Sequence, residues 1–242
     1  MALRIAAWSG PRNISTAMMR AWENRTDATV VDEPFYAYYL AATGLDHPGR
    51  AEVIAAGETD WRRVVATLTA APPAARPVHY QKHMTHHLLP AIATDWFDAV
   101  RHAFLIRDPR EVLLSYVKSR PSVSADDIGV PRQAEIFDLV RARHDAEPVV
   151  IDTGDLLRQP QAQLRAWCAR LDLDFDPRML RWPPGPRATD GVWAPHWYDA
   201  VLRSTGFEPW RERDRRVPQE HRAVIDKCMP LYEALYARRL RT

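Results

Sequence analysis

The sequence predicts a three-layer α/β/α protein, in which helices cover both faces of a mainly parallel sheet of roughly five strands. Short apolar or β-branched runs alternate with helix-length amphipathic segments along the whole chain. The 242 residues, of which 46% are hydrophobic and 26% charged, are enough for one well-buried domain. No internal repeat or change of composition marks a boundary, so residues 1–242 are predicted to form a single domain.

The first segment, residues 3–22, is predicted to form a strand, a tight loop and a helix. Alternating apolar residues stop at the sequence Ser-Gly-Pro, and from Ile14 apolar residues recur every four positions. A loop that leads into a helix offers free backbone N–H groups and the positive end of the helix dipole to an anion. Because Arg12 adds a planar cation, the loop is a candidate phosphate or sulfate site, with an ordinary turn as the alternative. It is not a Walker A loop, since it lacks the lysine and the second glycine.

The second strand, residues 28–31, runs into Asp32, Glu33 and Pro34. Ligands of open α/β sheets bind at the carboxyl ends of the strands, which makes Glu33 a candidate site residue. Helix capping or a surface ion pair is the alternative. Strand alternation places Glu33 opposite to Asp32, so only one of the two acids is expected to face the cleft. Helices are predicted next at residues 35–42, 48–56 and 60–71.

The third strand, residues 78–82, is followed by a histidine-rich segment. His83, His86 and His87 have the i, i+3, i+4 spacing that could place metal ligands on one helical face. No cysteine lies near them and the H-E-x-x-H pattern is absent. We therefore expect imidazoles that are solvated or face an anion, and no bound metal.

The fourth strand, residues 101–106, ends at Arg107. The next four residues, Asp-Pro-Arg-Glu, predict a helix start with an aspartate cap, a proline in the first position and a capping-box glutamate, Glu111. Ser115 lies two turns into that helix. Another helix is predicted at residues 133–144.

The fifth strand, residues 149–151, is followed by a helix predicted at residues 161–171. Residues 172–210 are rich in proline and tryptophan and are predicted to be irregular, and the length of this segment favours a functional loop. A C-terminal helix is predicted at residues 219–240, bent or broken at Pro230.

Composition excludes several classes of function. The net charge is only +2 and no basic run stands out, so nucleic-acid binding is not expected. Cys168 and Cys228 lie far apart, which does not predict a disulfide framework. No apolar run of transmembrane length occurs, so the sequence predicts a cytoplasmic protein without membrane contact. The oligomeric state stays open, with a homodimer as one alternative.

Three separated segments resemble elements of the sulfotransferases. The sequence P-R-N-I-S-T, residues 11–16, resembles their P-[KR]-S-G-T-[ST] loop. The sequence LIRDPREVLLS, residues 105–115, resembles the element with a strand-end arginine and a serine eight residues on. The sequence VVIDTGDLLRQP, residues 149–160, resembles their fifth strand and the turn after it. The order and spacing of all three segments fit the family.

This resemblance implies a P-loop-like fold and 3′-phosphoadenosine 5′-phosphosulfate (PAPS) as the donor, with no metal. In the family, the loop binds the 5′-phosphosulfate, and the arginine and serine of the second segment hold the 3′-phosphate. By position, the donor-binding residues here are Pro11, Arg12, Asn13, Ile14, Ser15, Thr16, Arg107 and Ser115. Arg12 is expected to face the phosphate on which negative charge develops during transfer.

The chain departs from the family at several positions. Ile14 replaces the usual loop glycine, and the C-terminal R-K-G-x-x-G-D-W element of the cytosolic enzymes is absent. Their K-T-H triplet becomes Lys-His-Met, so Lys82 is kept as a cation that could support the leaving phosphate, while the histidine is shifted to His83. In carbohydrate and trehalose-type sulfotransferases a glutamate after the second strand acts as base, and Glu33 occupies that place.

The identity of the base stays open between Glu33 and two histidines, His83 and His86. A carboxylate is expected to stay active down to mildly acid pH, whereas an ordinary imidazole loses activity below about 6.5. The chain also resembles a group of bacterial sulfotransferase-like proteins of unassigned acceptor that share W-S-G-P-R-N-I-S-T and W-A-P-H-W.

The irregular segment supplies candidates for closing over the donor or the acceptor, with plain packing as the alternative: Arg187, Trp193, His196, Trp197 and Tyr198. The sequence thus predicts transfer of a sulfuryl group from PAPS to a hydroxyl or amine of a small-molecule acceptor. The alternatives are a nucleotide-dependent phosphotransferase, against which the missing loop lysine counts, and a non-catalytic nucleotide-binding protein of the same fold.

Overall fold

The computed structural model describes residues 2–72, 76–118, 122–143 and 147–242. Its strands are β1 (Leu3–Ser9), β2 (Ala28–Asp32), β3 (Val78–Met84), β4 (Arg101–Ile106) and β5 (Val149–Asp152). They form one parallel sheet in the order β2-β3-β1-β4-β5, flanked by helices. The predicted α/β class and the P-loop-like fold are therefore confirmed.

The α-helices of the described chain are α1 (Ser15–Glu23), α2 (Tyr36–Thr43), α3 (Arg50–Ala56), α4 (Trp61–Thr69), α5 (Pro109–Tyr116), α6 (Ala125–Ile128), α7 (Val130–Arg143), α8 (Thr153–Arg158), α9 (Pro160–Arg170), α10 (Ala194–Trp197), α11 (Asp199–Arg203) and α12 (Arg222–Ala237). The predicted helix 133–144 begins three residues early, and His144 lies outside the described residues. None of the described helices is long and apolar enough to cross a bilayer.

Four short helices, α6, α8, α10 and α11, lie where no helix is predicted, and the last two lie inside residues 172–210, which were predicted to be irregular. Two of them begin at a side chain that caps the N-terminus: Ser124 of α6 accepts the N–H of Asp127, and Asp152 of α8 accepts the N–H of Asp155. The C-terminal helix α12 continues through Pro230, so the predicted break there is wrong.

The start of α5 is predicted correctly in part. Asp108 caps the helix by accepting the N–H of Arg110, with Pro109 in the first turn. The predicted capping box is not formed in this way, because the Glu111 carboxylate instead accepts hydrogen bonds from Arg107 and Arg215. Charge-assisted hydrogen bonds from two arginines stabilise the Glu111 carboxylate more than one hydrogen bond from a backbone N–H would.

The residues group into two compact units. The first unit holds the chain up to Ala7, Thr16–His102 and Asp176–Phe207; the second holds Trp8–Ser15, Ala103–Phe175 and the chain from Glu208 on. Within the first unit β2 pairs with β3, with Asp32 opposite Lys82. Within the second, β4 pairs with β5, with Ile106 opposite Asp152. One strand of each pair thus ends at an aspartate, β2 at Asp32 and β5 at Asp152.

Each unit has its own apolar core. In the first, α2 packs with α3 and the segment around α10 in a cluster of Tyr36, Ala37, Tyr39, Leu40, Val53, Trp193, Ala194 and Tyr198. In the second, α5, α6 and α12 share a cluster of Val112, Leu113, Val123, Ala125, Ile128, Val130, Ile225 and Cys228. Both cysteines are buried, and neither forms a disulfide among the described residues.

Candidate active site

A buried group of charged and hydroxyl side chains lies at the carboxyl ends of β2 and β3. The ammonium Nζ of Lys82 donates hydrogen bonds to Oδ1 of Asp32 at 2.8 Å, to Oε1 of Glu33 at 2.6 Å and to the hydroxyl of Tyr198 at 2.7 Å. An ammonium has three N–H donors, so all of them are used. We refer to Asp32, Glu33, Lys82 and Tyr198 as the acid cluster.

Tyr198 closes the acid cluster from the irregular segment. Its hydroxyl donates to Oδ2 of Asp32 at 2.5 Å and accepts from Nε1 of Trp193 at 3.1 Å. The backbone N–H of Gly191 also points to Oδ2 of Asp32, at 3.4 Å. A buried network whose members are satisfied holds its side chains in one arrangement. Tyr198 and Trp193, both candidates from the sequence, therefore order the acids.

The backbone at Glu33 explains why both acids meet the same lysine. β2 ends at Asp32, and Glu33 has a φ of 41°, in the left-handed region. The strand alternation that was expected to place the two acids on opposite sides stops one residue earlier, so that placement is wrong, and both carboxylates contact Lys82. A left-handed non-glycine residue costs about 1–3 kcal/mol and is found mainly at functional sites.

Burial sets the protonation of the cluster. It raises the pKa of Glu33, and the charge of Asp32 adds to this while Lys82 opposes it. Burial disfavours the Lys82 ammonium, but the charges of Asp32 and Glu33 outweigh it and raise the pKa of Lys82. The Glu33 side chain is 11% exposed and that of Asp32 only 1%. Glu33 is therefore the acid that a ligand can reach.

The three histidines after Lys82 occupy different environments. His83 is buried with its ring against Phe35 and Trp96, and burial lowers its pKa to about 3. His86 is half-buried, edge-on to the ring of Tyr39. His87, which the sequence did not favour as a base, is the one near the acid cluster: its Nδ1 lies 3.9 Å from Oε2 of Glu33.

These environments change the expected pH dependence. The distinction between Glu33 and the histidines that was drawn from the sequence assumed ordinary pKa values, for which a carboxylate base stays active at lower pH than an imidazole. Burial raises the pKa of Glu33 and lowers those of His83 and His87, so an acid limb no longer separates the two kinds of base. Among the described residues, no group of three His, Cys, Asp or Glu side chains is arranged to hold a metal ion.

The loop after β1, residues 10–14, has an unusual backbone. Arg12 and Ile14 have φ values of 57° and 47°, whereas the intervening Asn13 does not have a positive φ. Left-handed residues that alternate with right-handed ones can turn successive N–H groups toward one side, which is the arrangement of an anion-binding nest. A Cβ at Gly10 would lie 2.7 Å from the carbonyl oxygen of Ile128, so this position needs glycine.

The side chain of Asn13 anchors this loop through hydrogen bonds. Its side-chain Nδ2 donates to the carbonyl oxygen of Leu105, and its Oδ1 accepts from the hydroxyl of Thr153. Gln133 donates to the same Leu105 oxygen at 2.7 Å and to the Trp8 carbonyl at 3.1 Å. Both polar ends of the Asn13 side chain are thus bonded to other residues of the second unit, and any ligand contact from Asn13 comes from its backbone.

Arg107 also supports the loop. Its NH1 donates to the carbonyl oxygen of Arg12 at 2.7 Å, and its other side donates to Oε2 of Glu111 at 3.1 Å. The Arg12 guanidinium itself is exposed, without a hydrogen bond or ion pair among the described residues. Ser15 is buried at the helix start, and Thr16 and Ser115 are half-buried. The Arg12 guanidinium is therefore available to bind an anion.

The candidates of the irregular segment divide into two groups. Trp193 is buried, with its ring edge-on to Tyr36 at 5.1 Å. The Arg187 guanidinium lies 3.6 Å from Oε2 of Glu23 and donates to the Pro183 carbonyl at 3.3 Å. His196 and Trp197, in contrast, are exposed.

Comparison with known proteins decides the family. Residues 3–239 match the sequence model of the sulfotransferase domain. The chain belongs to the sulfotransferase family. The likeness that the loop and the two later segments suggested is therefore confirmed over nearly the whole chain.

Two curated relatives of this sulfotransferase domain are plant proteins. They are branched-chain-amino-acid aminotransferase-like proteins 2 and 1 of Arabidopsis thaliana, 35% and 36% identical over 232 residues. That alignment covers 96% of this chain but only 41% of each relative, so the chain spans about two fifths of their length. Their names describe the whole plant proteins.

Solved structures share the fold of the sulfotransferase domain at low sequence identity. The sulfotransferase domain of the Synechococcus PCC 7002 olefin synthase has a TM-score of 0.60 at 18% identity, covering 100% of this chain and 98% of its own. The sulfotransferase domain of the curacin biosynthetic pathway has a TM-score of 0.54 at 14% identity, covering 98% and 97%. A sulfotransferase from Alicyclobacillus acidocaldarius has a TM-score of 0.52 at 13% identity, covering 99% and 98%.

Proposed function

We propose that this sulfotransferase moves a sulfuryl group from PAPS to a hydroxyl or amine of a small-molecule acceptor, with Glu33 as general base. Family membership supports the reaction class. The observation that carries the assignment of the base is the acid cluster. It holds a partly exposed glutamate in a left-handed backbone conformation, with a raised pKa, beside a lysine.

The loop of the second unit supports the assignment of donor binding. Its two left-handed residues, Arg12 and Ile14, favour a nest of backbone N–H groups, and the exposed Arg12 adds a guanidinium, so the donor set suits a phosphosulfate. The proposed binding residues are those of the loop and helix start, with Arg107 and Ser115 for the 3′-phosphate. Arg187 and Trp193 stay proposed as residues that close over the donor.

Arg107 has a second task in this proposal. Its hydrogen bond to the Arg12 carbonyl holds the loop in the conformation that presents its N–H groups. When bound, PAPS supplies an activated sulfuryl group whose leaving phosphate gains negative charge. Arg12 is proposed to stabilise that charge, since its guanidinium makes no other ion pair in the described chain.

Within the acid cluster, Glu33 is proposed to take the acceptor proton and Lys82 to hold its carboxylate. The three hydrogen bonds of Lys82 support this positioning task. Support of the leaving phosphate by Lys82, as the family suggests, would require it to exchange one of these partners. His83 and His86 are the rival bases. Burial lowers the pKa of His83 to about 3, which disfavours it, because so weak a base takes the acceptor proton poorly.

A direct assay tests the proposed function. PAPS is incubated with the protein and a panel of small alcohols, phenols and amines, and the release of adenosine 3′,5′-bisphosphate is followed by chromatography. We expect Glu33→Gln to lower turnover by about a hundredfold while leaving the affinity for adenosine 3′,5′-bisphosphate unchanged. Glu220→Gln, at an exposed site, is the matched control. Near-normal turnover of Glu33→Gln, with an inactive His83→Ala or His86→Ala, would reassign the base to that histidine.

A further inference from the structure

His87 presents a buried ring nitrogen to Glu33 across a gap. Nδ1 of His87 and Oε2 of Glu33 are 3.9 Å apart, which is too long for a direct hydrogen bond. Nδ1 has no hydrogen-bond partner among the described residues. The other carboxylate oxygen, Oε1, is held by Lys82. A buried polar atom without a partner is uncommon in native proteins, and here it faces the proposed base.

The His87 ring is held in place by other rings. It stacks on Tyr36 with ring centres 4.6 Å apart and an interplanar angle of 8°, and the ring of Tyr39 lies 4.7 Å away. Its side chain is only 3% exposed. Because these aromatic contacts cover the ring, the position of Nδ1 relative to Glu33 is fixed.

His87 is neutral near pH 7. Burial lowers its pKa well below the usual value, and the neighbouring charges of His86, Lys82, His47 and His83 lower it further. A neutral imidazole carries one N–H and one lone pair. Glu33 faces Lys82 and Asp32 as well as His87, and it is the carboxylate with the more exposed side chain.

We propose that Oε2 of Glu33 and Nδ1–H of His87 together bind the nucleophilic oxygen of the acceptor, and that this acceptor is an alcohol rather than an amine. The inference rests on the proposed function. A hydroxyl donates its proton to Oε2 and accepts the Nδ1–H with one lone pair, which leaves a second lone pair for sulfur. An amine nitrogen has one lone pair, which the Nδ1–H bond would occupy, and an ammonium has none.

The step balances with this arrangement. The acceptor O–H bond breaks and its proton passes to Oε2 of Glu33, while a new O–S bond forms. The bond from sulfur to the 5′-phosphate of PAPS breaks, and its electron pair stays on that phosphate. The products are a sulfate monoester, adenosine 3′,5′-bisphosphate and a protonated Glu33, which returns the proton to water.

Three substitutions separate the hydrogen bond of His87 from its packing. His87→Phe keeps an aromatic ring against Tyr36 but has no ring nitrogen. His87→Asn places an amide N–H at the same number of bonds from the backbone as Nδ1, whereas His87→Gln places one near the position of Nε2. If the phenylalanine variant fails to fold, the asparagine and glutamine variants still compare the two positions.

The first measurement is the carboxyl titration of Glu33, followed by NMR in protein labelled with ¹³C-glutamate. The Glu33 signal is the one missing from Glu33→Gln. In the absence of an acceptor, water takes the place of the hydroxyl. We expect His87→Phe and His87→Gln to raise the Glu33 midpoint by about half a pH unit or more, because the water that donates to the carboxylate is no longer held by Nδ1–H, and His87→Asn to restore it. Equal midpoints in wild type and His87→Phe, or in His87→Asn and His87→Gln, would overturn the proposal.

The second measurement compares acceptors of equal skeleton, such as 2-phenylethanol with 2-phenylethylamine and cyclohexanol with cyclohexylamine. We expect sulfation of the alcohols only, with kcat lowered about tenfold or more by His87→Phe and restored by His87→Asn. Equal rates for an alcohol and its amine, or wild-type kcat in His87→Phe, would overturn it. If the wild type consumes no PAPS with any acceptor, the proposed function fails, and the titration still decides whether His87 and Glu33 share a ligand.

Discussion

The carbonyl oxygen of Arg12 accepts a 2.7 Å hydrogen bond from the guanidinium of Arg107. The family resemblance assigns these two residues to different phosphates of the donor, yet in the folded chain one holds the backbone of the other. A substitution at Arg107 therefore changes both the proposed 3′-phosphate contact and the shape of the loop.

The two effects of Arg107 can be separated by comparing ligands. Arg107→Ala should weaken the binding of both AMP and adenosine 3′,5′-bisphosphate, because the loop loses its support. It should weaken the second ligand about tenfold more, because only that ligand carries a 3′-phosphate. Calorimetric titration of both ligands measures the ratio, with Arg110→Ala as the control. An unchanged ratio of affinities would remove Arg107 from the 3′-phosphate site.

At position 14 we expect glycine to give a more stable protein than a β-branched residue, although glycine usually lowers stability. Ile14 has a φ of 47°, a conformation that β-branched residues adopt only under strain. Ile14→Gly and Ile14→Thr both remove apolar atoms, but threonine keeps the branched Cβ. We expect the glycine variant to have the higher free energy of unfolding, by about 1 kcal/mol, in chemical denaturation. If the threonine variant is the more stable of the two, the loop backbone relaxes out of the strained conformation when Ile14 is replaced.

Lys82 should be essential for folding near neutral pH. Lys82→Met leaves the buried carboxylates of Asp32 and Glu33 without a cation, which should lower the free energy of unfolding by about 3–5 kcal/mol. Without the lysine, burial and the charge of Asp32 still hold the folded-state pKa of Glu33 above its unfolded value. The part of the loss that comes from Glu33 is then full above its folded-state pKa and disappears as pH falls below its unfolded value. Denaturation of Lys82→Met and the exposed Lys227→Met between pH 7 and pH 4 checks this difference.

Glu33→Gln should retain stability while it loses activity. The folded-state pKa of Glu33 is raised, so its ionised form costs stability above that pKa. Glutamine removes this charge, and Asp32 still pairs with Lys82. We expect a melting temperature at pH 7 equal to or above that of the wild type, measured by calorimetry. A lower melting temperature would mean that the Glu33–Lys82 pair stabilises the fold on balance.

The same raised pKa sets the acid limb of activity. A general base must be ionised, so kcat/KM should fall as pH drops through a midpoint above 4.5, the ordinary value for glutamate. The midpoint seen in kcat/KM should match the NMR titration of Glu33 in the free protein. A limb that persists unchanged in Glu33→Gln would belong to another group.

The sequence predicts the sheet and its main helices because their patterns are local. The apolar alternation of residues 3–7 and the Asp-Pro start at Asp108 depend only on neighbouring positions. The cap signals of α6 and α8 were also present, as a serine or aspartate three residues before an aspartate, but the helices are too short for apolar periodicity to mark them.

The candidate site is less predictable, because it depends on distant contacts and on one backbone angle. Tyr198 and Lys82 are 116 positions apart in the sequence, and no local pattern predicts their contact. The register of β2 and β3 that pairs Asp32 with Lys82 likewise follows from the sheet. The positive φ at Glu33 ends the strand alternation at Asp32, so ideal strand geometry does not predict that both acids contact Lys82.

The complete use of the Lys82 donors has a practical consequence for following the protein in solution. The chain has three lysines, Lys82, Lys118 and Lys227, and the latter two are exposed. An amine-acylating reagent needs a free, neutral amine, whereas Lys82 is buried with a raised pKa. Mass spectrometry should therefore find Lys118 and Lys227 modified rapidly, and Lys82 modified only when the acid cluster opens. The rate of that slow acylation would report the opening of the site without any knowledge of the acceptor.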